Sequence, residues 1–231
     1  MFSKRDSHAI LCQLGGLHHT MFRKARKSGN PHQEAVTRAC AVAYNYVQSI
    51  LAGELGGSAA FAMCRTLFEI TCSVAYLAKQ RGELQDFQDF GRMMEDDLRQ
   101  AFGQKADPKI GKVRDHLEEK WRSKHDGRAL HKGRDPTWHG HTIKELAKSL
   151  GLLPEGVKEF YARSSQATHG DSVIALAIAR GQPEVVEYLS AAPQLAIQLL
   201  GYLFETVNTA LRFGLDSDLD LAKGEIRRLL Q

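Results

Sequence analysis

The chain has 231 residues, 43% hydrophobic and 25% charged, a balance that excludes wholesale disorder. Thirty-one Lys and Arg against 27 Asp and Glu leave a net charge of +4, which admits a nucleic-acid partner without requiring one. Six prolines and two tryptophans are too few for an all-β sandwich, and a chain this long needs no metal or disulfide staple.

Taken in order, nearly every segment reads as helix. Ile10, Leu11, Leu14, Leu17 and Met21 recur at helical spacing over residues 7–27. Ser28-Gly29-Asn30-Pro31 closes that helix and opens a second, with Pro31 in its first turn, running to about Leu55. Gly56-Gly57-Ser58 breaks the chain again, with Ser58 as a cap. A third helix carries Phe61, Cys64, Leu67, Phe68, Cys72, Ala75 and Tyr76 and ends at Gly82; a fourth covers about Glu83 to Gln104.

Residues 105–135 change character, with ten Lys and Arg, six Asp and Glu, and only five of Val, Leu, Ile and Trp. Lys109 to Lys124 reads as an exposed helix, and Asp126 to Asp135 as a loop rich in Gly, Arg, Lys and His. The segment is expected to be a basic excursion. It is either a solvated surface or a phosphate-facing one, and in the second case Arg122, Lys124, Arg128, Lys132 and Arg134 are the cations offered to RNA. Order resumes at Trp138, with a short helix from Thr142 to Leu150, a turn at Gly151 to Pro154 and further helices to Ser190. Pro193 opens a long apolar helix to Phe213, and Asp216 to Leu230 closes the chain. The long helix is interrupted by Gln198, Glu205, Asn208 and Arg212, so it reads as core rather than membrane span. It either fills the core or pairs two chains. The expected fold is all-α, a multi-helix bundle in a single domain 1–231 with its core over about 31–213.

Cys12, Cys40, Cys64 and Cys72 form no C-x-x-C pair and read as small hydrophobes rather than ligands. No apolar run follows Met1 to Asp6, so the expected location is the cytoplasm, with reduced thiols and no membrane. His139-x-His141 and His18-His19 are the only close histidine pairs, and neither has a Cys or carboxylate at ligand spacing. No metal and no cofactor is expected.

Two clusters interrupt apolar faces. Arg65 and Glu69, four apart, share a face of the third helix. Tyr161, Ser165 and His169, also four apart in succession, form a polar stripe that ends before Gly170. These five residues, with Arg163, make up the expected catalytic site. His169 either serves as a general acid or base or caps the last carbonyls of its helix. Residues 143–160 are similar to a helix-turn-helix, with Ala147, Gly151 and Val157 at the small, turn and packing positions. That similarity leaves a DNA-binding regulator as one alternative, although its second helix would offer Glu155, Lys158, Glu159 and Ala162 to the groove. Residues 171–189 resemble one ankyrin repeat, but a single repeat cannot bury its own face.

Four features in sequence carry a wider resemblance. They are Arg65-Thr66-Leu67-Phe68-Glu69, Trp138, the helix Thr142 to Ala147 with Gly151, and the run from Tyr161 through Ser165 to His169-Gly170. In this order they resemble domain-of-unknown-function family 5677, over about Leu51 to Phe213. That resemblance implies an all-α fold and no particular activity. A looser resemblance is to the HEPN superfamily of helical ribonucleases, whose signature is an arginine followed after four to six residues by histidine; Arg163 and His169 have that spacing. It implies a metal-independent endoribonuclease in stress or phage defence. His169 would move a proton at the 2′-hydroxyl or the leaving oxygen, and Arg163 would stabilise charge on the phosphorane. It also implies a site across a homodimer and an antitoxin as protein partner. The alternative that names no reaction is a non-catalytic helical binding or scaffold protein.

Overall fold

The computed structural model describes residues 4–52, 57–130, 137–152 and 191–230. These contain eight α-helices: α1 Lys4–Ser28, α2 Pro31–Leu51, α3 Gly57–Lys79, α4 Leu84–Ala101, α5 Ile110–Lys124, α6 Ile143–Ser149, α7 Ala192–Leu211 and α8 Asp216–Leu230. A 3-10 turn at Arg81–Glu83 precedes α4, and no strand occurs among the described residues. The chain is all-α, as its periodicity implies. It divides into two compact units, residues 1–79 with 150–231, and residues 80–149.

In the first unit α7 packs against α1, α2, α3 and α8, and α2 lies between α1 and α3. α1 buries Ile10, Leu14, Leu17, Met21 and Ala25, and α2 buries Val36, Cys40, Ala43, Val47 and Ile50; both stripes follow the three-and-four spacing of a single helix face. α7 buries Leu199, Leu200, Leu203, Phe204, Val207 and Leu211, so the long apolar helix fills the core. Each such side chain contributes about 1.5–3 kcal/mol by leaving water. α3 is apolar enough over Ala59–Lys79 to cross a membrane by length and composition, yet 56% of its most apolar 18-residue window is buried, as in a core helix. α3 begins at Gly57, so Ser58 lies inside the helix and is not the cap expected from its composition.

The helix ends are held by side chains, some local and some from distant parts of the chain. Asn30 Oδ1 accepts from the backbone N–H groups of His32 (2.9 Å) and Gln33 (3.3 Å) at the start of α2. α7 stops at Arg212, which adopts the left-handed conformation with φ 56° and ψ 49°. Gln33 Nε2 donates to the Leu211 carbonyl at 3.2 Å and Lys24 Nζ to the Phe213 carbonyl at 2.5 Å. The buried Asn208 amide donates to Asp216 Oδ1 and accepts from the Leu215 N–H, both at 2.9 Å, closing the turn into α8.

In the second unit α4 and α5 pack together. Within the segment expected as a basic excursion, α5 packs on α4 along one side, while most of its other described residues are exposed. The reason is a sparse apolar face: Ile110, Val113, Leu117 and Trp121 recur at helical spacing, and Ile110 and Leu117 are buried. Few hydrophobes suffice because they lie on one side. Buried Asp96 accepts from Asp107 N–H (2.9 Å) and Gln100 Nε2 (2.6 Å), tying the connection between α4 and α5 to α4. On the outer face of α4, Met94, Leu98 and Phe102 stand exposed at four-residue spacing.

Candidate functional site

α5 places His116, Lys120 and Lys124 four residues apart, on one face. Lys120 Nζ donates to both Glu83 and Asp86, at the start of α4. All three side chains are largely shielded, so this is a charge cluster with its own counter-ions. His116 Nε2 donates to Asp86 Oδ1 at 3.0 Å. Burial alone would raise the Asp86 carboxyl, but the hydrogen bonds and charges of Lys120 and His116 outweigh it and hold the group below its ordinary range.

Facing the C-terminal half of α5 is the turn Trp138 to Thr142. Trp138 is buried, its ring edge-on to Phe87 with centroids 5.3 Å apart. Gly140 has φ +65°, and an added Cβ would stand 3.2 Å from Lys124 Cδ and 3.3 Å from Lys120 Cγ and the Lys120 carbonyl oxygen. Only glycine permits both that dihedral and that approach. Thr142 Oγ1 accepts from the Glu145 N–H, and Glu145 Oε2 accepts from the Thr142 N–H, a reciprocal box that starts α6. His125 stacks on Trp121 at 4.0 Å, its Nε2 3.7 Å from Glu145 Oε2.

Lys124 joins the helix to the turn. Its ammonium donates to the His139 carbonyl at 2.8 Å and to His141 Nε2 at 3.1 Å. The His141 N–H in turn donates to His139 Nδ1 at 3.1 Å. Both accepting ring nitrogens must carry lone pairs, so His141 is protonated on Nδ1, His139 on Nε2, and both are neutral. Burial, reinforced by His141, Lys124 and Lys120, holds His139 down at about 3. Burial and then Lys124 also lower His141, with His125 adding to the effect and Glu145 and Glu83 opposing it. Burial lowers Lys124 as well, with Lys120 adding to it and Glu83 and Asp86 opposing it. The result is a neutral histidine pair beside a cation that is held on uncharged acceptors.

Of the residues predicted from sequence, Arg65 and Glu69 do share a face: Arg65 Nε donates to Glu69 Oε1 at 3.1 Å. Arg122 pairs within its own helix with Glu118 (3.3 Å) and Glu119 (3.8 Å), which reduces its value as a free phosphate contact. Lys124 lies in the cluster just described, and Arg128 is exposed beyond α5. Tyr161, Arg163, Ser165 and His169, with Lys132 and Arg134, lie outside the described residues. The first helix of the helix-turn-helix similarity is α6, with Leu146 and Ala147 buried and Gly151 at φ +72°; its second helix is outside the described residues.

A family of unknown function, DUF5677, matches residues 33–178, well over half of the chain. The chain belongs to this family. No curated protein and no solved structure matches it. The family's span includes the whole of the α4–α6 unit, and thus Trp138, the Thr142–Glu145 box and the Lys124 cluster.

Sequence reasoning passed over His116, Lys120, Glu83, Asp86, His139 and His141 as a set. A signal was present: the four-residue spacing of His116, Lys120 and Lys124 and the crowding of five histidines into residues 116–141. The spacing of His139 and His141 by itself suggests only a metal-ligand pair. Among the described residues no three His, Cys, Asp or Glu side chains converge to hold a metal ion.

Proposed function

We propose that the protein acts on RNA and cleaves it without a metal, with Arg163 and His169 as the reacting pair and the end of α5 as a backbone-binding surface. The observation that carries this reading is Lys124, a lysine whose hydrogen bonds go to a carbonyl and a neutral imidazole rather than to a carboxylate. A cation so placed keeps its charge available for a polyanion. Residues 105–149 add twelve Lys and Arg against seven Asp and Glu. The HEPN resemblance supplies the chemistry: an imidazole at 169 to move protons and a guanidinium at 163 to meet the phosphorane. It also suggests a cytoplasmic role in stress or phage defence and control by an antitoxin. α7 is consumed by the core, so a homodimer would cover another surface, such as Met94, Leu98 and Phe102.

The test uses purified full chain, 5′-labelled single-stranded RNA and EDTA. Cleavage that disappears in His169→Ala and Arg163→Ala supports the reading. Lys124→Ala is expected to weaken RNA binding and to reduce the slope of affinity against salt by about one. RNA binding that is absent at low salt overturns it.

A second reading is a non-catalytic helical binding protein. It is favoured by the in-helix partners of Arg122, which leave one expected site cation on a helix surface with its own counter-ions. RNA binding without cleavage under all conditions would select it.

A further inference from the structure

We infer that the end of α5 and the His139–Thr142 turn form a phosphate site, in which the anion replaces the Lys124–His141 hydrogen bond, accepts from both side chains and draws a proton onto His141. The site adds a ligand class and a proton linkage to the RNA reading, on which its biological ligand rests; its chemistry requires only a phosphate.

The argument begins with the contrast between two lysines one turn apart. Lys120 is neutralised by Glu83 and Asp86. Lys124 takes part in no ion pair among the described residues, and one of its bonds is spent on a ring nitrogen. An ammonium gains more from an anionic oxygen than from a neutral imidazole, because attraction between two opposite full charges is added to the hydrogen bond. The 3.1 Å between Lys124 Nζ and His141 Nε2 places the ammonium and the ring nitrogen side by side. A tetrahedral phosphate with several acceptor oxygens can take both once they separate slightly.

The surroundings hold this pair in place. Gly140 carries no side chain between the turn and α5, so the backbone packs directly on Lys120 and Lys124. His139 Nδ1 accepts the His141 N–H and fixes the turn, and the Thr142–Glu145 box fixes the chain just after it. Lys124 keeps its bond to the His139 carbonyl, which anchors the ammonium while its other donors turn to the ligand.

Proton uptake follows from the charges facing His141. α5 presents Lys124 and His125, α6 presents Glu145, the start of α4 presents Glu83, and the turn itself presents His139; Lys120 and Asp86 act one step away, on His139 and Lys124. In the free protein Nε2 must accept from Lys124, and burial together with that nearby cation keeps His141 neutral. A bound phosphate removes the donor and adds a negative charge, and both changes favour imidazolium. By linkage, phosphate then binds more tightly as pH falls.

The experiment is an NMR titration of the full chain with dimethyl phosphate, a diester that stays monoanionic throughout. The reporter is the His141 Cε1–H resonance, assigned by its loss in His141→Gln. At saturating ligand the midpoint of His141 titration is expected to rise by about one pH unit or more, and affinity at pH 5.5 should exceed that at pH 7.5 by roughly tenfold. His141→Gln, which still offers a neutral donor, should bind without the pH dependence, and Lys124→Ala should lose about tenfold or more in affinity. His116→Ala should bind as the parent does. Inorganic phosphate in a parallel arm separates the sources: tighter binding of the diester points to a nucleic-acid backbone, and tighter binding of inorganic phosphate to a free phosphate or terminal monoester. A His141 resonance that moves no further than in sodium chloride of equal ionic strength overturns the site, as does a His141→Gln variant that keeps the full pH dependence. RNA binding lost to these variants without any dimethyl phosphate response also overturns it. A dimethyl phosphate response in a protein that ignores RNA overturns the RNA reading alone.

Discussion

Gly140 lies so close to Lys120 that a methyl group on its α-carbon would stand 3.3 Å from the Lys120 carbonyl oxygen. Its φ of +65° adds a conformational cost for any L side chain. Gly140→Ala is therefore expected to destabilise the α4–α6 unit by about 1–2 kcal/mol from the dihedral alone. The close backbone contact adds to this. Urea unfolding followed by tryptophan fluorescence measures the loss. An unchanged midpoint would mean that the turn does not need its glycine.

His139 makes stability depend on pH. Its imidazole is held at about 3, against an ordinary value near 6.5, so the unfolded chain takes up this proton first. The stabilisation is whole above about pH 6.5 and is lost as pH falls toward 3, at up to about 1.4 kcal/mol per pH unit. Asp86, held below its ordinary range, shifts stability in the same direction, but only at pH below about 4. Between pH 4 and 6.5 the parent is thus expected to lose stability more steeply than His139→Gln. His141, lowered as well, contributes to both proteins in that window. Equal slopes for the two would assign the acid sensitivity to His141 and other groups.

The four thiols divide by burial. Cys40, Cys64 and Cys72 are buried, and burial pushes each up to about 12, whereas Cys12 is exposed. Iodoacetamide at pH 8 is expected to label Cys12 alone in the native protein and all four in guanidinium, read by intact mass. Rapid native labelling at Cys64 would show that the α3–α7 packing, where its Sγ reaches the Ala192 carbonyl at 3.3 Å, opens readily.

Two adjacent glycines in α1 should respond differently to alanine. A Cβ at Gly16 meets nothing within 4 Å, so Gly16→Ala should stabilise by roughly 0.5–1 kcal/mol through helix propensity. A Cβ at Gly15 would stand 2.9 Å from Tyr44 Oη, which donates to the Leu11 carbonyl at 3.1 Å. Gly15→Ala must displace that ring, so its gain should be smaller or reversed. A thermal melt of both variants decides it, and equal gains would show that Tyr44 moves freely.

The helices were legible because each displays a repeating apolar face, even the sparse one of Ile110, Val113, Leu117 and Trp121. Boundaries were less so: Ser58 has the composition of a cap yet lies within α3, because the chain turns helical one residue earlier. Arg65 and Glu69 were correctly paired, since a four-residue spacing within one helix needs no tertiary knowledge. The Lys124 cluster was not seen as a unit, because its parts come from residues 83–86, 116–125 and 139–145 and meet only through packing. Composition marked 105–135 as solvated, and averaging over the segment concealed that its few apolar residues face one way. The stripe Tyr161, Ser165 and His169 remains an expectation.

The first unit is built from both ends of the chain, α1–α3 before residue 80 and α7–α8 after residue 190. During synthesis, α3 therefore leaves the ribosome more than a hundred residues ahead of α7, the helix that covers it. At about 5–20 residues per second that delay is roughly 6–20 seconds. Throughout it, a helix apolar enough to suit a lipid bilayer lacks α7 and, among the described helices of its unit, has α1 and α2 beside it, while the α4–α6 segment is already complete and free to fold. A nascent chain in this state is a natural client for a ribosome-associated chaperone, and a codon change that slows translation between residues 80 and 190 would lower the yield of native protein without altering a single side chain.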